Sequence, residues 1–178
     1  RLLDDTLVDQ IAAGEVIERP ANLVKELLEN ALDAGASAIT VSVEDGGRAQ
    51  VRVSDDGIGM SREDARLAIE RHATSKIRSF EDLTCVGTLG FRGEALPSIG
   101  SVSRMTITTR PEAELEGTRI LVEGGELREV APAGCPPGTS VEVSDLFYNV
   151  PARKKFLRAR QTETSRIFEV CQRVALSH

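Results

Sequence analysis

The chain has 178 residues, of which 40% are hydrophobic and 28% charged, and its net charge is −6. This length and composition suit one globular domain with its own core. No apolar run approaches the ~20 residues that a transmembrane helix needs, and no signal-peptide pattern opens the chain, so a spanning helix is excluded.

In chain order, residues 4–13 (DDTLVDQIAA) predict a short helix ended by Gly14. Pro20 opens a second helix at a position where a missing N–H costs little, and the helix runs to about Ala34, where Gly35 stops it. Ile39, Val41 and Val43 alternate with polar residues, Asp45-Gly46-Gly47 is a turn signal, and Val51 and Val53 resume the alternation. That pattern predicts a β-hairpin. Ser61, with Asp64 three residues on, predicts the N-cap of another helix. From His72 to Gly93 the pattern weakens into a long glycine-punctuated loop, of a kind that tends to be functional or mobile. Residues 94–101 predict a helix with Pro97 in its first turn. Strands follow at about 104–109, 119–123, 126–130 and 139–145, and a last helix at 163–176. Helices and hairpins interleave without a βαβ rhythm. The expected architecture is therefore a two-layer α/β sandwich on a mixed, mostly antiparallel sheet.

Cys85, Cys135 and Cys171 are isolated, no CxxC pair exists, and the histidines are His72 and His178. Neither a zinc site nor a disulfide framework is supported, and a reducing cytosol is the simplest placing. The charge is uneven: residues 151–178 carry seven Lys or Arg against two Glu, so the body before them is strongly acidic. An acidic body does not attract nucleic acid by itself, whereas the basic end has the charge to do so or is a solvated helix face. The start at Arg1 suggests a trimmed or mature fragment.

Three stretches carry possible chemistry. On the second helix, Leu23, Val24, Leu27, Leu28, Ala31 and Leu32 fill one half of the helical wheel and Lys25 and Glu29 the other. Glu26, Asn30 and Asp33 fall between, with Glu26 and Asn30 stacked one turn apart at the rim of the apolar face. In VSDDGIGM (53–60), Asp55 has the parity of Val51 and Val53, so it points inward and Asp56 outward. Gly57 and Gly59 remove side chains beside it, which lets a flat ligand approach the backbone. In GTLGFRGEAL (87–96), three glycines precede a helix start, where free N–H groups favour an anion such as phosphate. Each stretch has a plainer explanation: a wet helix face, an Asp-Gly turn ending a strand, a flexible connector. Together they outline a pocket with a carboxylate, an amide, an inward aspartate and phosphate donors, as a Mg-nucleotide site requires. The GxxxxGK[ST] and GxGxxG patterns are absent.

Five stretches occur in order: IAAGEVIERP (11–20), KELLENALDAGA (25–36), RHATSKI (71–77), LGFRGEAL (89–96) and DLFYNVPARKKFL (145–157). With these, which span nearly the whole chain, the sequence resembles the N-terminal ATPase region of the MutL family of DNA mismatch-repair proteins. That family lies within the GHKL superfamily, which includes DNA gyrase B and the histidine kinases. The resemblance implies an α+β fold of the GHKL (Bergerat) type, with residues 1–178 forming one ATP-binding domain. It implies ATP and Mg²⁺ as cofactors. Glu26 would be the general base that activates water, and Asn30 the Mg²⁺ ligand. Asp55 would accept the adenine amino group over a floor of Gly57 and Gly59, with Ala34, Met60 and Thr139 nearby. Thr74, Ser75 and Lys76 would begin an ATP lid. Leu89, Gly90, Phe91, Arg92 and Gly93 would wrap the phosphates, followed by Ala95 and Leu96.

The resemblance also implies an ATP-dependent homodimer of N-terminal domains, with residues 1–14 as a docking segment. It implies a MutS-type mismatch-recognition partner, DNA contacts made mainly outside this chain, no membrane, and a bacterial cytoplasm with nucleoid association during repair. A further lysine to the γ-phosphate is expected from a following domain, beyond His178, so hydrolysis by residues 1–178 alone is expected to be slow. The alternatives are a nucleotide-switched DNA-binding scaffold, suggested by PARKKFLRAR (151–160), and a different GHKL enzyme. No phosphoacceptor histidine helix is visible, and LGFRGEAL and PARKKFL argue against a gyrase.

Overall fold

The computed structural model describes residues 13–70 and 94–178. Helix α1 (Pro20–Asp33) is followed by β1 (Ile39–Glu44), a 3₁₀ turn (Asp45–Gly47), β2 (Gln50–Asp55) and a short α2 (Arg62–Leu67). Then come α3 (Ala95–Ser101), β3 (Arg104–Arg110), β4 (Gly117–Glu123), β5 (Glu126–Ala133), β6 (Gly138–Ser144), α4 (Pro151–Phe156) and α5 (Arg160–Ser177). Residues 13–16 are helical, while the rest of the helix expected at 4–13 lies outside the described residues.

The six strands form one sheet in the order β1-β2-β6-β3-β4-β5, and each pairing is antiparallel. The composition of the strands left room for a mixed sheet. Three hairpin-type neighbours, together with a β6 that inserts between β2 and β3 running against both, leave no parallel pair among the described residues.

The inward rows are apolar. Val53 lies opposite Val141, which lies opposite Ile107, which lies opposite Ile120. One step along, Val51, Val143, Met105 and Val122 form the next row, and all eight side chains are buried. The outward row is polar, with Arg52 donating to Glu142 from the neighbouring strand. Helix α1 covers the apolar face through Leu23, Val24, Leu27, Leu28 and Ala31, and packs on β2 and α5. Its end is closed by N–H groups of Gly35 and Ala36 donating to the carbonyls of Leu32 and Ala31, the pattern of a glycine-terminated helix. As the sequence indicated, Ser61 caps α2 by accepting from the Asp64 N–H at 3.1 Å.

The short helix α4 was not legible in the sequence, because six residues carrying three consecutive basic side chains show no amphipathic period. It follows a turn in which Asp145 and Phe147 both hold positive φ. That strained backbone is anchored by the fully buried Phe147 ring and by the Phe147 N–H, which donates to the Val102 carbonyl at 2.7 Å. Ile107, at the centre of β3 and fully buried, tests the main core. Ile107→Ala is expected to lower the unfolding free energy by about 2–5 kcal/mol in urea titration, through lost transfer energy plus the residual cavity.

Candidate functional site

The apolar rows of the sheet end in a polar one. Asp55 lies opposite Thr139, Thr139 opposite Thr109, and Thr109 opposite Thr118. Residues directly opposite share a face, so this row closes the core at one end of four strands. Asp55 keeps the inward parity of Val51 and Val53 and is half-buried, while Asp56 is exposed.

The two neighbouring carboxylates have opposite environments. Burial pushes the Asp55 carboxyl above its ordinary value, against the pull of backbone hydrogen bonds from Gly57 and Thr139. The Gly57 N–H donates to Asp55 Oδ1 at 2.9 Å. Asp56 is held below its ordinary value, first by the Ala38 N–H and then by the Ser37 hydroxyl and N–H. All three of these donors lie at 2.8 Å from Asp56, which pins the turn between α1 and β1.

The loop after β2 is clamped from both sides. On one side, the Ile58 N–H donates to the Ala34 carbonyl at the end of α1, at 3.0 Å. On the other, the Met60 N–H donates to Thr109 Oγ1 at 2.9 Å. Glycine is required for this approach. A Cβ on Gly57 would stand 2.8 Å from the Ala34 Cβ and carbonyl oxygen. Gly59 has φ +67°, and a Cβ there would run into the Arg110 carbonyl. Side chains at either position would lift the loop off the sheet.

Glu26 and Asn30 lie on the face of α1 between its buried stripe and solvent, and both are half-buried, as the wheel indicated. Ala34 is the C-cap of the same helix, so α1 carries these positions toward the loop 56–60. Ala95 and Leu96 begin α3, and Leu96 packs on the core. Thr74, Ser75, Lys76, Leu89, Gly90, Phe91, Arg92 and Gly93 lie outside the described residues.

The described part of the site therefore joins α1, the end of β2, the loop after it and the start of β6. Thr109 was missed in the sequence. In the alternating strand RMTITTR its parity with Met105 and Ile107 marks it as inward, but only the register across β6 shows that it meets Thr139 beside Asp55.

A model of the histidine kinase-, DNA gyrase B- and HSP90-like ATPases matches residues 18–123, more than half of the chain. The chain belongs to this ATPase family. Over 177 residues and 99% of its length it is 60% identical to the DNA mismatch repair protein MutL of Syntrophobacter fumaroxidans, covering 26% of that protein. It is 61% identical over 176 residues to the MutL of Anaeromyxobacter dehalogenans, covering 29%. The chain thus spans between a quarter and a third of the length of these relatives.

Among solved structures it resembles the Aquifex aeolicus MutL ATPase domain complexed with ADP, with a TM-score of 0.75 and 37% identity over 90% of this chain and 56% of that one. A second likeness is to the N-terminal domain of a DNA repair protein, with a TM-score of 0.76 and 28% identity, covering 93% of this chain and 47% of that one. The fold is the α+β sandwich of this ATPase family, on a sheet that is antiparallel throughout the described residues. No described helix is long and apolar enough to cross a membrane.

The opposite shifts of Asp55 and Asp56 give opposite pH signatures. A carboxyl depressed in the fold adds stability above its ordinary value of 3.8, and that stability is lost as pH falls through the folded value. A raised carboxyl does the reverse: its contribution is present below 3.8 and is lost as pH rises through the folded value. Urea midpoints measured between about pH 2.5 and 6 are expected to rise less with pH in Asp56→Asn than in the parent, because the depressed carboxyl is removed and the raised one stays. In Asp55→Asn they are expected to rise more steeply with pH than in the parent.

Proposed function

We propose that this chain is the ATP-binding, ATP-hydrolysing domain of a MutL-type DNA mismatch-repair protein, acting as a nucleotide-gated dimerising clamp that couples mismatch recognition to strand removal. The observation that carries the reading is Asp55, a half-buried carboxylate at the end of an apolar sheet, beside two glycines that leave no room for a Cβ. Such a position takes a flat heterocycle whose amino group donates to the carboxylate. High identity to proteins named MutL supports the repair context.

In this reading Asp55 takes the adenine amino group, Gly57 and Gly59 floor the base, and Ala34, Met60 and Thr139 line it. Ala95 and Leu96 follow the phosphate-wrapping stretch Leu89, Gly90, Phe91, Arg92 and Gly93, and Thr74, Ser75 and Lys76 open the lid. Glu26 takes a proton from the water whose oxygen bonds to the γ-phosphorus. The bond from the γ-phosphorus to the bridging oxygen then breaks, and ADP leaves with the electron pair. Holding water and phosphate in line, and stabilising charge, does most of the catalytic work.

The donor set fits Mg²⁺. Among the described residues no cluster of three or more His, Cys, Asp or Glu could hold a metal ion, and Asn30 offers one amide oxygen on the half-buried face of α1. Mg²⁺ accepts such a single protein oxygen when phosphates and waters complete its shell, and when bound it would neutralise phosphate charge. Nucleotide binding would order the lid and the N-terminal segment for pairing with a second copy. A MutS-type protein and DNA are the partners, in a bacterial cytoplasm.

A second reading, a nucleotide-switched DNA-binding scaffold, is favoured by one observation: Lys154, Lys155, Arg158 and Arg160 are all exposed. Arg153 does not belong with them. It is half-buried, its guanidinium lies where a side chain on Gly14 would stand, and it donates to the Ile17 carbonyl at 3.3 Å. Salt-sensitive DNA binding that disappears in Lys154→Ala/Lys155→Ala, with ATP turnover undetectable in the full-length protein, would favour the scaffold.

The deciding experiment is calorimetric titration of a non-hydrolysable ATP analogue, with and without Mg²⁺. Mg-dependent binding at one site per chain is expected, and Asp55→Asn is expected to weaken it by roughly 5–150-fold, because an acceptor becomes mismatched to the adenine amine. Glu26→Ala is expected to keep binding and to abolish turnover in the full-length protein. Equal affinity in Asp55→Asn and parent would remove Asp55 from the base site, and unchanged turnover in Glu26→Ala would remove Glu26 from its role.

A further inference from the structure

Thr109 is fully buried, and its hydroxyl meets three polar groups. The Met60 N–H lies at 2.9 Å, the Gly138 carbonyl oxygen at 3.1 Å and Thr139 Oγ1 at 2.9 Å. A threonine hydroxyl has one proton to give and two lone pairs to fill. Met60 can only donate and the Gly138 carbonyl can only accept. The arrangement that satisfies all three contacts therefore gives the Thr109 proton to Gly138. One lone pair takes the Met60 N–H and the other takes the Thr139 proton. The reverse orientation, with Thr109 donating to Thr139, gives up the contact between the Thr109 hydroxyl and the Gly138 carbonyl, so it satisfies one contact fewer.

This saturated hub has a consequence at the next strand. The Thr139 proton is committed to Thr109, so Thr139 Oγ1 turns only lone pairs toward its other neighbours. Thr139 lies directly opposite Asp55 on the same face. The end of the sheet then offers an acceptor from Asp55 and another from Thr139. A base with an exocyclic amino group matches two acceptors, since it has two N–H bonds. A base with a carbonyl at that position meets lone pairs with lone pairs.

We propose that Thr109, which a ligand in this pocket need not touch, is the positioning residue that sets base specificity. Its buried hydroxyl fixes the polarity of Thr139 and holds the Met60 end of the glycine loop, so that the pocket selects an amino-bearing purine over an oxo-purine. The inference rests on the reading of this pocket as an adenine-nucleotide site.

The test compares non-hydrolysable ATP and GTP analogues, titrated separately and in competition, on the parent, Thr109→Val, Thr109→Ala and Thr109→Ser. Removing the hydroxyl is expected to weaken the ATP analogue by about tenfold and to shrink the ATP-over-GTP ratio by a similar factor. Thr109→Ser, which keeps the hydroxyl, is expected to restore both. Thr109→Ala provides the same readout if Thr109→Val does not give a cooperative thermal transition. A merely structural role would lower both affinities together and leave their ratio unchanged, so an unchanged ratio in the hydroxyl-free variants overturns the proposal, as does failure of Thr109→Ser to restore it. A parent that binds neither analogue overturns the nucleotide reading itself, which is a different result from a parent and variants that bind alike.

Discussion

Two hydrogen bonds from backbone amides two residues apart hold the end of the sheet where the site lies. Ile58 donates to the last turn of α1 and Met60 donates to a buried threonine on β3. Between them the chain has no freedom to rise from the sheet, and the glycines at 57 and 59 are what let it lie so low. The half-buried Asp55 and the face of α1 are brought to one place because this loop ties the helix layer to the sheet layer at the same end.

The core supports that clamp. Apolar rows run across β2, β6, β3 and β4, then give way abruptly to a row of one aspartate and three threonines. A buried polar row is costly unless its groups are satisfied. Here Thr109 satisfies Met60, Gly138 and Thr139 together, and Asp55 is met by Gly57 and Thr139. The remaining strain of Asp55, a carboxyl raised by burial, is the state in which a ligand N–H has most to offer it.

At the opposite end of α1 a different polar group anchors the helices. Glu163 is fully buried at the start of α5, accepts from the Arg158 N–H at 2.9 Å and pairs with Arg19 at 3.4 Å. Arg153 meanwhile reaches back to the carbonyl of Ile17. The first and last of the five sequence stretches are thus packed on one another. This explains why one of the three adjacent basic residues of α4 faces inward while its neighbours Lys154 and Lys155 face solvent.

Much of this was written locally. The period of LVKELLENAL determined an amphipathic helix with Glu26 and Asn30 at its rim, the alternation through Val51 and Val53 determined which of two adjacent aspartates points inward, and Ser61 with Asp64 determined a cap. Each depends on residues within a turn or a strand of one another, so sequence spacing alone carries it. The tertiary structure decided what depends on register between distant strands. Thr109 meets Thr139 across thirty positions of chain; alternation puts it on the inward side with Met105 and Ile107, apart from Thr106 and Thr108, but does not say which strand's hydroxyl it meets. The same holds for Arg153, whose side chain turns inward because Gly14, far away in the chain, leaves a space of the right shape. Helical and strand periods fix the faces of elements. Which polar groups satisfy each other is fixed only when the sheet order brings their strands side by side.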